Sequence, residues 1–387
     1  MTRATTKTEP GKPGATQSTQ RTKPRSRKLV IEPQAPRMTT AGVDIGDKKV
    51  QICEIDLDGV IVEARIPNTA DKLKEYFDRP KRRVVIEMGS HTRWVAELLQ
   101  KLGHDVLIVD PRHVPLISKT LYKSDRVDAE MLAHLGYENA HRLKTVPVRP
   151  IEHQKALTMV RARASAVAGR TRIVNTIRGL LKPYGLRAPK DGSTNRFLHE
   201  LWATLEEHDD LLNHIVGLMI ILKAMNAEIK RYDDAAEQLL PAVAPDALHL
   251  TEIPGVGALT ALYFAAIVGD PSRFSDARDL GAYLGLCRRR EDSGDYTSEM
   301  RITKAGDPYM RSLLTNCASH ILGPFGVDSD IRRWGLTKVG ARTRAEKKKA
   351  KVAVARKLAV VMLTLWKSGR PYDRFHNSKK NEVKLAA

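Results

Sequence analysis

Cysteine is scarce in this chain of 387 residues: there are three, Cys53, Cys287 and Cys317, far apart and odd in number. They make neither a disulfide framework nor a zinc-binding spacing, so a reducing, cytoplasmic setting is the default. Aromatic residues are also few, at 5%, which argues against base stacking on an aromatic platform as the dominant binding mode. No uninterrupted apolar run reaches the ~18 residues of a membrane span, and no signal-peptide core stands near the N-terminus. Negative charge is in the minority. Lys and Arg number 65 against 45 Asp and Glu, a formal net charge of +20. That excess points to a polyanion partner, nucleic acid first and an anionic membrane surface second. Hydrophobic content of 42% allows a sizeable core, and the length allows two or three domains.

Residues 1–38 carry little that could pack. Up to Thr40 there are nine Lys/Arg and two acids, Glu9 and Glu32, the composition of a disordered basic arm. From 39 to 140 strand and helix patterns alternate. Strands read at 40–46, 49–56 and 60–66, then helix 70–79, strand 83–88, helix 91–102 closed by Gly103, strand 105–109, and helices near 112–120 and 125–137. This order predicts an α/β domain, a mixed sheet covered by helices, compatible with an RNase-H/RuvC-like core. Residues 141–245 predict an all-α domain. Val160, Ala164, Val167, Thr171, Val174 and Leu181 keep a 4-3 spacing, broken by Arg178. Leu198, Leu201, Leu205, His208, Leu212, Ile215, Met219, Leu222, Asn226 and Ile229 keep it again. That spacing predicts a coiled-coil hairpin whose seam mediates self-association. From 246 to 387 the pattern is mainly helical. Ile253-Pro254-Gly255-Val256-Gly257 resembles a helix-hairpin-helix turn, where backbone N–H groups can meet a phosphate. A basic run containing Arg342, Arg344, Lys347, Lys348, Lys349 and Lys351 leads into an apolar helix, 352–366, and is expected to contact a phosphate backbone.

Four acids stand out. Asp44 lies inside the run Ala41-Gly42-Val43-Asp44-Ile45, and Glu87 ends Val84-Val85-Ile86-Glu87. Asp125 and Asp128 lie three apart in Lys123-Ser124-Asp125-Arg126-Val127-Asp128, and on a helix they project from one face. A solvated acidic pair is the ordinary reading of those two. An acid in or ending an apolar strand, however, is costly to bury unless paired or metal-bound. Carboxylate oxygens suit Mg²⁺, with Mn²⁺ as a substitute. The four are therefore expected to share one metal site, fit for hydrolysis or transesterification of phosphodiesters. From the residues alone two classes stay open: a DNA- or RNA-cleaving enzyme, and a non-catalytic nucleic-acid-binding protein whose acids are incidental.

Asp44-Ile45-Gly46, Glu87 and Lys123 to Ala129 resemble the DEDD catalytic set of a bacterial insertion-sequence transposase family that includes the Piv-type DNA invertases. Val109-Asp110-Pro111-Arg112 is similar to that family's strand end. Ile253 to Gly257, Tyr283-Leu284-Gly285-Leu286, Arg301 to Asp307 and Tyr309 to Leu314 resemble its C-terminal transposase domain. The resemblance runs in order from 40 to 373. It implies a DNA recombinase in which Asp44, Glu87, Asp125 and Asp128 bind Mg²⁺ and a C-terminal serine forms a phosphoserine link to DNA. It also implies a structured guide (bridge) RNA, donor and target DNA, a dimer or a tetramer built as a dimer of dimers, no membrane partner, and work at the bacterial nucleoid. The family's serine segment, roughly Pro-Arg-x-x-Ser-Ser-Gly-Gly-Lys, departs here to Arg288-Arg289-Arg290-Glu291-Asp292-Ser293-Gly294-Asp295-Tyr296. Ser293 falls at the second serine and is the implied nucleophile, in a loop flanked by Arg288, Arg289 and Arg290. Lys304 joins them as an expected nucleic-acid contact. A RuvC-like nuclease using water needs the four acids and no serine.

Overall fold

The computed structural model describes residues 38–110, 124–190, 195–293, 296–339 and 343–378, with side chains left out from 290 to 299. The basic arm, the helix expected near 112–120, and Pro111, Arg112, Lys123 and Arg342 lie outside the described residues. The chain divides into two compact units, one up to Val148 and one from Arg149.

The first unit is a five-stranded mixed sheet. Strands β1 (Thr40–Ile45), β2 (Lys49–Ile55), β3 (Ile61–Pro67), β4 (Arg83–Glu87) and β5 (Asp105–Val109) stand in the order β3-β2-β1-β4-β5. The first three pair antiparallel, while β4 and β5 join parallel to β1. The expected strands are all present, within a residue or two of the expected ends. Along β1, Ala41 and Val43 point to one face, where they are buried with Val50, Ile52, Val84 and Ile86 against helices α1 (Ala70–Phe77) and α2 (Thr92–Lys101). Thr40, Gly42 and Asp44 point to the other face by strand alternation. There helix α3 (Asp125–Asn139) buries Ala129, Ala133 and Leu132 over Cys53, Ile55, Val85 and Val109.

Two glycines let α3 lie on the sheet. A Cβ on Gly42 would meet the Ala129 carbonyl oxygen at 2.0 Å and the Ala133 nitrogen at 2.2 Å. One on Gly136 would meet Val85 Cγ2 at 2.3 Å and Thr40 Cγ2 at 2.9 Å. Glycine inside a strand marks such an approach of backbone to backbone. The buried Arg83 fixes the far end, donating from Nη1 to the Gly136 carbonyl at 3.1 Å and from Nε to Asp105 at 3.3 Å.

In the second unit, α4 (Ile151–Leu181) and α6 (Asp209–Val243) run side by side, with α5 (Asn195–Leu205) between them in sequence. The hairpin holds two apolar clusters with a polar stretch between. At the distal end Val174, Ile177, Leu181, Phe197, Leu201, Leu205, Ile215, Met219 and Leu222 pack together. At the other, Leu157, Val160, Ala236 and Leu240 join the core built on α7 (Ala258–Val268), α8 (Asp279–Tyr283), α9 (Pro308–Leu322), α10 (Asp330–Thr337) and α11 (Arg344–Ser368). Between the clusters Arg163 clamps Asp233 with two bonds of 2.6 and 3.1 Å, and Arg170 reaches Asn226 at 3.4 Å.

The expected seam needs three corrections. It passes through Arg170 and Ile177, and Thr171 is exposed, because the helical stripe lags the 4-3 count by one residue there. The run from Leu198 to Ile229 is not one helix, and the exposed His208 stands at the break rather than in a seam. Ile215, Met219 and Leu222 are buried within one chain, so they close the hairpin on itself. α6 is also the one described helix long and apolar enough to cross a membrane by length and composition. Counting uninterrupted runs misses it because Lys223 divides the stretch.

The close approach at Gly42 is testable. Gly42→Ala should destabilise the first unit by about 3 kcal/mol, since backbone rather than a yielding side chain meets the new methyl. Hydrogen exchange of peptides spanning 40–55 should accelerate strongly, and unchanged protection would contradict the packing.

Candidate active site

The sheet sets the carboxylates in a row. Val43 pairs with Ile86, which places Asp44 beside Glu87 at the carboxyl ends of β1 and β4. Asp44 also pairs with Gln51, and Gln51 with Arg65. Residues in register share a face, so Glu87, Asp44, Gln51 and Arg65 cross four strands on the side that α3 covers.

α3 runs antiparallel to β1, with Gly136 over Thr40 and Ala129 over Gly42. Asp44 lies two strand residues beyond Gly42, about 6.6 Å. Asp125 lies four helix residues beyond Ala129, about 6 Å. The first turn of α3 therefore comes down at the level of Asp44. Ser124 caps that turn, its Oγ accepting from the Val127 amide at 3.4 Å. The helix N-terminus favours both carboxylates there.

The two helix acids face different partners. Asp128 is buried at 6% exposure, on the sheet side. Asp125 is largely exposed and accepts from Arg65 Nη2 at 3.4 Å. Next to it, Arg126 donates to Glu63 at 2.8 Å, so two ion pairs tie the first turn of α3 to the edge strand β3. Among the described residues no three His, Cys, Asp or Glu side chains stand together as a ready metal-ligand group. The donor chemistry nonetheless fits a hard divalent cation: three carboxylates on one face of one sheet end, with a fourth within a helical turn. Arg65 holds one oxygen of Asp125 and competes with such an ion for it. The thiol under α3 is no competitor, since burial, then Glu130 and Glu63, push Cys53 up to about 11.

Sequence reasoning missed Arg65, although the polar alternation Glu63, Arg65 in β3 marks the face it occupies. It also missed the loops at the same sheet end. His91 takes the Trp94 indole N–H on Nδ1 at 3.2 Å, which leaves Nε2 to donate to Asp47 at 3.3 Å. Thr92 ties its loop to the Glu87 carbonyl at 2.7 Å. Asp110, just beyond β5, is buried.

The implied nucleophile lies on the second unit. Arg288–Ser293 is strand β6, paired antiparallel with β7 (Tyr296–Ile302), so the expected loop is an ordered hairpin. Ser293 pairs with Tyr296 at the hairpin end, with a bulge between Arg288 and Arg290. Its hydroxyl, like the side chains of Arg290, Thr297 and Ser298, is outside the described residues. The root of the hairpin is tightly built. The Lys304 amide donates to the Gly285 carbonyl at 3.0 Å and that of Thr303 to Cys287 at 2.9 Å. Gly285 has φ 69°, and a Cβ there would meet the Ala305 nitrogen at 2.5 Å. Lys304 itself has φ 56°, a conformation that L side chains seldom hold outside functional or over-determined sites. Arg288, Arg289 and Lys304 are exposed, as are Lys347, Lys348 and Lys349 in the first turns of α11, while Lys351 is half-buried. The glycine turn before α7 borders an open cavity of about 520 Å³, reached by Asn316 and His320 from α9.

A sheet whose strand ends and covering helix present carboxylates to one face, joined to a basic helical unit, defines the class of metal-assisted nucleic-acid-processing proteins. The comparisons with known proteins then give the family. A transposase model of the IS110 DEDD type matches residues 41–185, and a model described as the IS116/IS110/IS902 transposase family matches 247–325. The chain is 31% identical over 288 residues to the transposase for insertion sequence element IS1111A of Coxiella burnetii, covering 73% of this chain and 77% of that one. It is 25% identical over 346 residues to the IS1328 transposase of Yersinia enterocolitica, 88% of this chain and all of the relative. It is 25% identical over 309 residues to the pilin gene-inverting protein of Moraxella bovis, 75% and 81% of the two chains. The chain belongs to the IS110 family of insertion-sequence transposases. Domains of this DEDD type use divalent metal ions.

The Arg65–Asp125 pair sets a prediction. An exposed ion pair is worth about 0–1 kcal/mol. Arg65→Gln should therefore tighten Mn²⁺ binding by roughly two- to five-fold in titration calorimetry, while Asp128→Asn should weaken it severely. Looser binding in Arg65→Gln would show that the arginine supports the site rather than competing for it.

Proposed function

We propose that the protein is an RNA-guided DNA recombinase of its insertion sequence, joining strands through a phosphoserine. The observation that carries the reading is the shared face of Asp44, Glu87 and Asp128, with Asp125 one helical turn away. The strand order, with acids on the first strand, on its parallel neighbour and on a later helix, supports a RuvC/RNase-H-like core for the first unit. Asp44, Glu87, Asp125 and Asp128 would hold Mg²⁺, or Mn²⁺ in its place, which when bound supplies Lewis acidity at a phosphodiester.

Ser293 is the nucleophile in this reading. Its Oγ attacks phosphorus, the bond to the leaving sugar oxygen breaks, and that oxygen takes up a proton. The phosphoserine keeps the ester's bond energy, so attack by another strand's hydroxyl rejoins DNA and returns the serine. A serine hydroxyl is inert at neutral pH without activation, and this is the role for the acids of the other unit. Arg288, Arg289, Arg290 and Lys304 hold the attacked phosphate and balance charge in the transition state. Lys347, Lys348, Lys349 and Lys351 bind backbone at large. The partners are a guide RNA with donor and target DNA, supported by the +20 charge and by the resemblance. The working form is a homo-oligomer, dimer or tetramer, in the bacterial cytoplasm at the nucleoid, and no membrane takes part.

Ser293→Ala should bind nucleic acid as wild type does and form no covalent protein–DNA adduct on denaturing gels. Asp44→Asn and Asp128→Asn should lose recombination by several orders of magnitude while still binding. Adducts that persist in Ser293→Ala and map to Thr297 or Ser298 would move the nucleophile. Cleavage by wild type with no adduct at all would favour a water-using nuclease.

A further inference from the structure

We propose that the outer edge of β3 pairs with the same edge of a second copy of this chain, antiparallel and centred on Ala64, so that the two sheets run on as one. The inference deepens the reading above and rests on it in one respect, that the chain works as a homo-oligomer. β3 stands at the end of the strand order, and among the described residues its outer side carries no further strand. The opposite edge differs, since Val109 of β5 bridges Thr145.

The backbone of that edge is set for pairing. The Asp56 amide donates to the Val60 carbonyl at 3.1 Å and the Asn68 amide to the Lys48 carbonyl at 3.0 Å, which fixes the alternation of the β2–β3 ladder. Val62, Ala64 and Ile66 turn their N–H and C=O groups to β2, so Ile61, Glu63 and Arg65 turn theirs outward. Edge strands are normally blunted by lysine, proline, a bulge or a covering element. Of these devices β3 has Pro67, at its end, and α3 packs on β1, β2 and β4. Val60, Ile61 and Val62 stand in a row at 55, 44 and 52% exposure, with Leu57 at 58% in the turn before them. An apolar row on an open edge is a template for another strand.

The side chains choose the partner. Glu63 and Arg65 lie on the α3 side, where Glu63 accepts from Arg126 at 2.8 Å and Arg65 donates to Asp125 at 3.4 Å. Two copies related by a two-fold axis can pair with Glu63, Ala64 or Arg65 at the centre. Glu63 at the centre sets two carboxylates face to face, and Arg65 at the centre sets two guanidiniums. Ala64 at the centre uses the whole strand and sets Glu63 opposite the partner's Arg65. Opposite charges directly across an antiparallel pair are favourable and like charges unfavourable, so the charges select the Ala64 register. Along the α3 face the signs then alternate: Asp125, Arg65, the partner's Glu63, the partner's Arg126. On the other face Val62 lies beside the partner's Ile66, which covers exposed apolar surface, and Ala64, the smallest side chain of the strand, lies at the axis. A strand that complements itself in charge and in length fits a second copy of this chain.

The test uses the full chain and cysteine cross-linking. Across the axis the two Ala64 residues form a non-hydrogen-bonded pair with Cα atoms about 4.5 Å apart, within the span of a disulfide. Ala64→Cys should therefore give a disulfide-linked dimer on non-reducing gels under mild oxidation. Wild type, in which Cys53 and Cys317 are buried, sets the background. Val62→Cys and Ile66→Cys check the register: each alone should stay at the background, and their equimolar mixture should cross-link several-fold faster. Glu63→Lys, an exposed change added to Ala64→Cys, sets like charges opposite and should slow cross-linking several-fold. Ala64→Cys and the mixture both remaining at the wild-type background overturn the pairing. So does Val62→Cys alone cross-linking as fast as Ala64→Cys, which marks chance collision or another register. If Ala64→Cys cross-links as expected but wild type forms no DNA adduct, the phosphoserine chemistry fails and the pairing stands. If the adduct forms and no cross-link does, the pairing fails and that chemistry stands.

Discussion

The candidate active site depends on a side chain that is missing. Gly42 has no Cβ, so the backbone of α3 rests on β1 at a distance that any other residue would block. That contact fixes the height of the helix on the sheet and, with Gly136 and Arg83 at the far end, its direction. Height and direction together place the first turn of α3 level with Asp44 and Glu87. Were the helix one turn higher, about 5.4 Å, Asp128 would no longer be level with the strand acids. Burial of Ala129, Ala133 and Leu132 supplies the apolar gain that holds α3 in place.

The electrostatics of the site follow from the same sheet. In one row the order is acid, acid, amide, guanidinium, so the acids stand toward the centre and positive charge toward the edge strand. Arg65 and Glu63 take Asp125 and Arg126 as partners, which steadies the start of α3 without a metal ion. The arrangement divides the two helix carboxylates: the buried Asp128 faces the sheet and the exposed Asp125 faces the edge.

The second unit solves a different problem. Its hairpin is apolar at both ends and polar in the middle, where Arg163, Asp233, Arg170 and Asn226 meet. Polar groups in such a seam can fix alignment at some cost in stability. The strand hairpin with Ser293 springs from a root held by Gly285, Lys304 and Gly306, all in close backbone contact.

Local chemistry in the sequence determined a good deal. Short apolar or alternating runs marked the five strands, and the helical pattern over 125–137 marked α3, because these signals need only neighbours a few residues away. Asp44 and Glu87 could be picked out for the same reason, since an acid in or ending an apolar strand is conspicuous wherever the strand goes, and Asp125 and Asp128 stood out as a pair three apart on a helix. Other features were decided by tertiary structure alone. Which strand lies beside which, and so that Asp44 is next to Glu87 and in line with Arg65, is a matter of register between distant segments. The seam was misplaced at Thr171 and His208 because a count along the chain cannot register the break before Asp209 or the slip of an α-helix against a 3.5-residue repeat. The β6–β7 hairpin was read as a loop because the run Arg288 to Asp292 is charged throughout and carries no strand-like alternation; the pairing of two segments defines it.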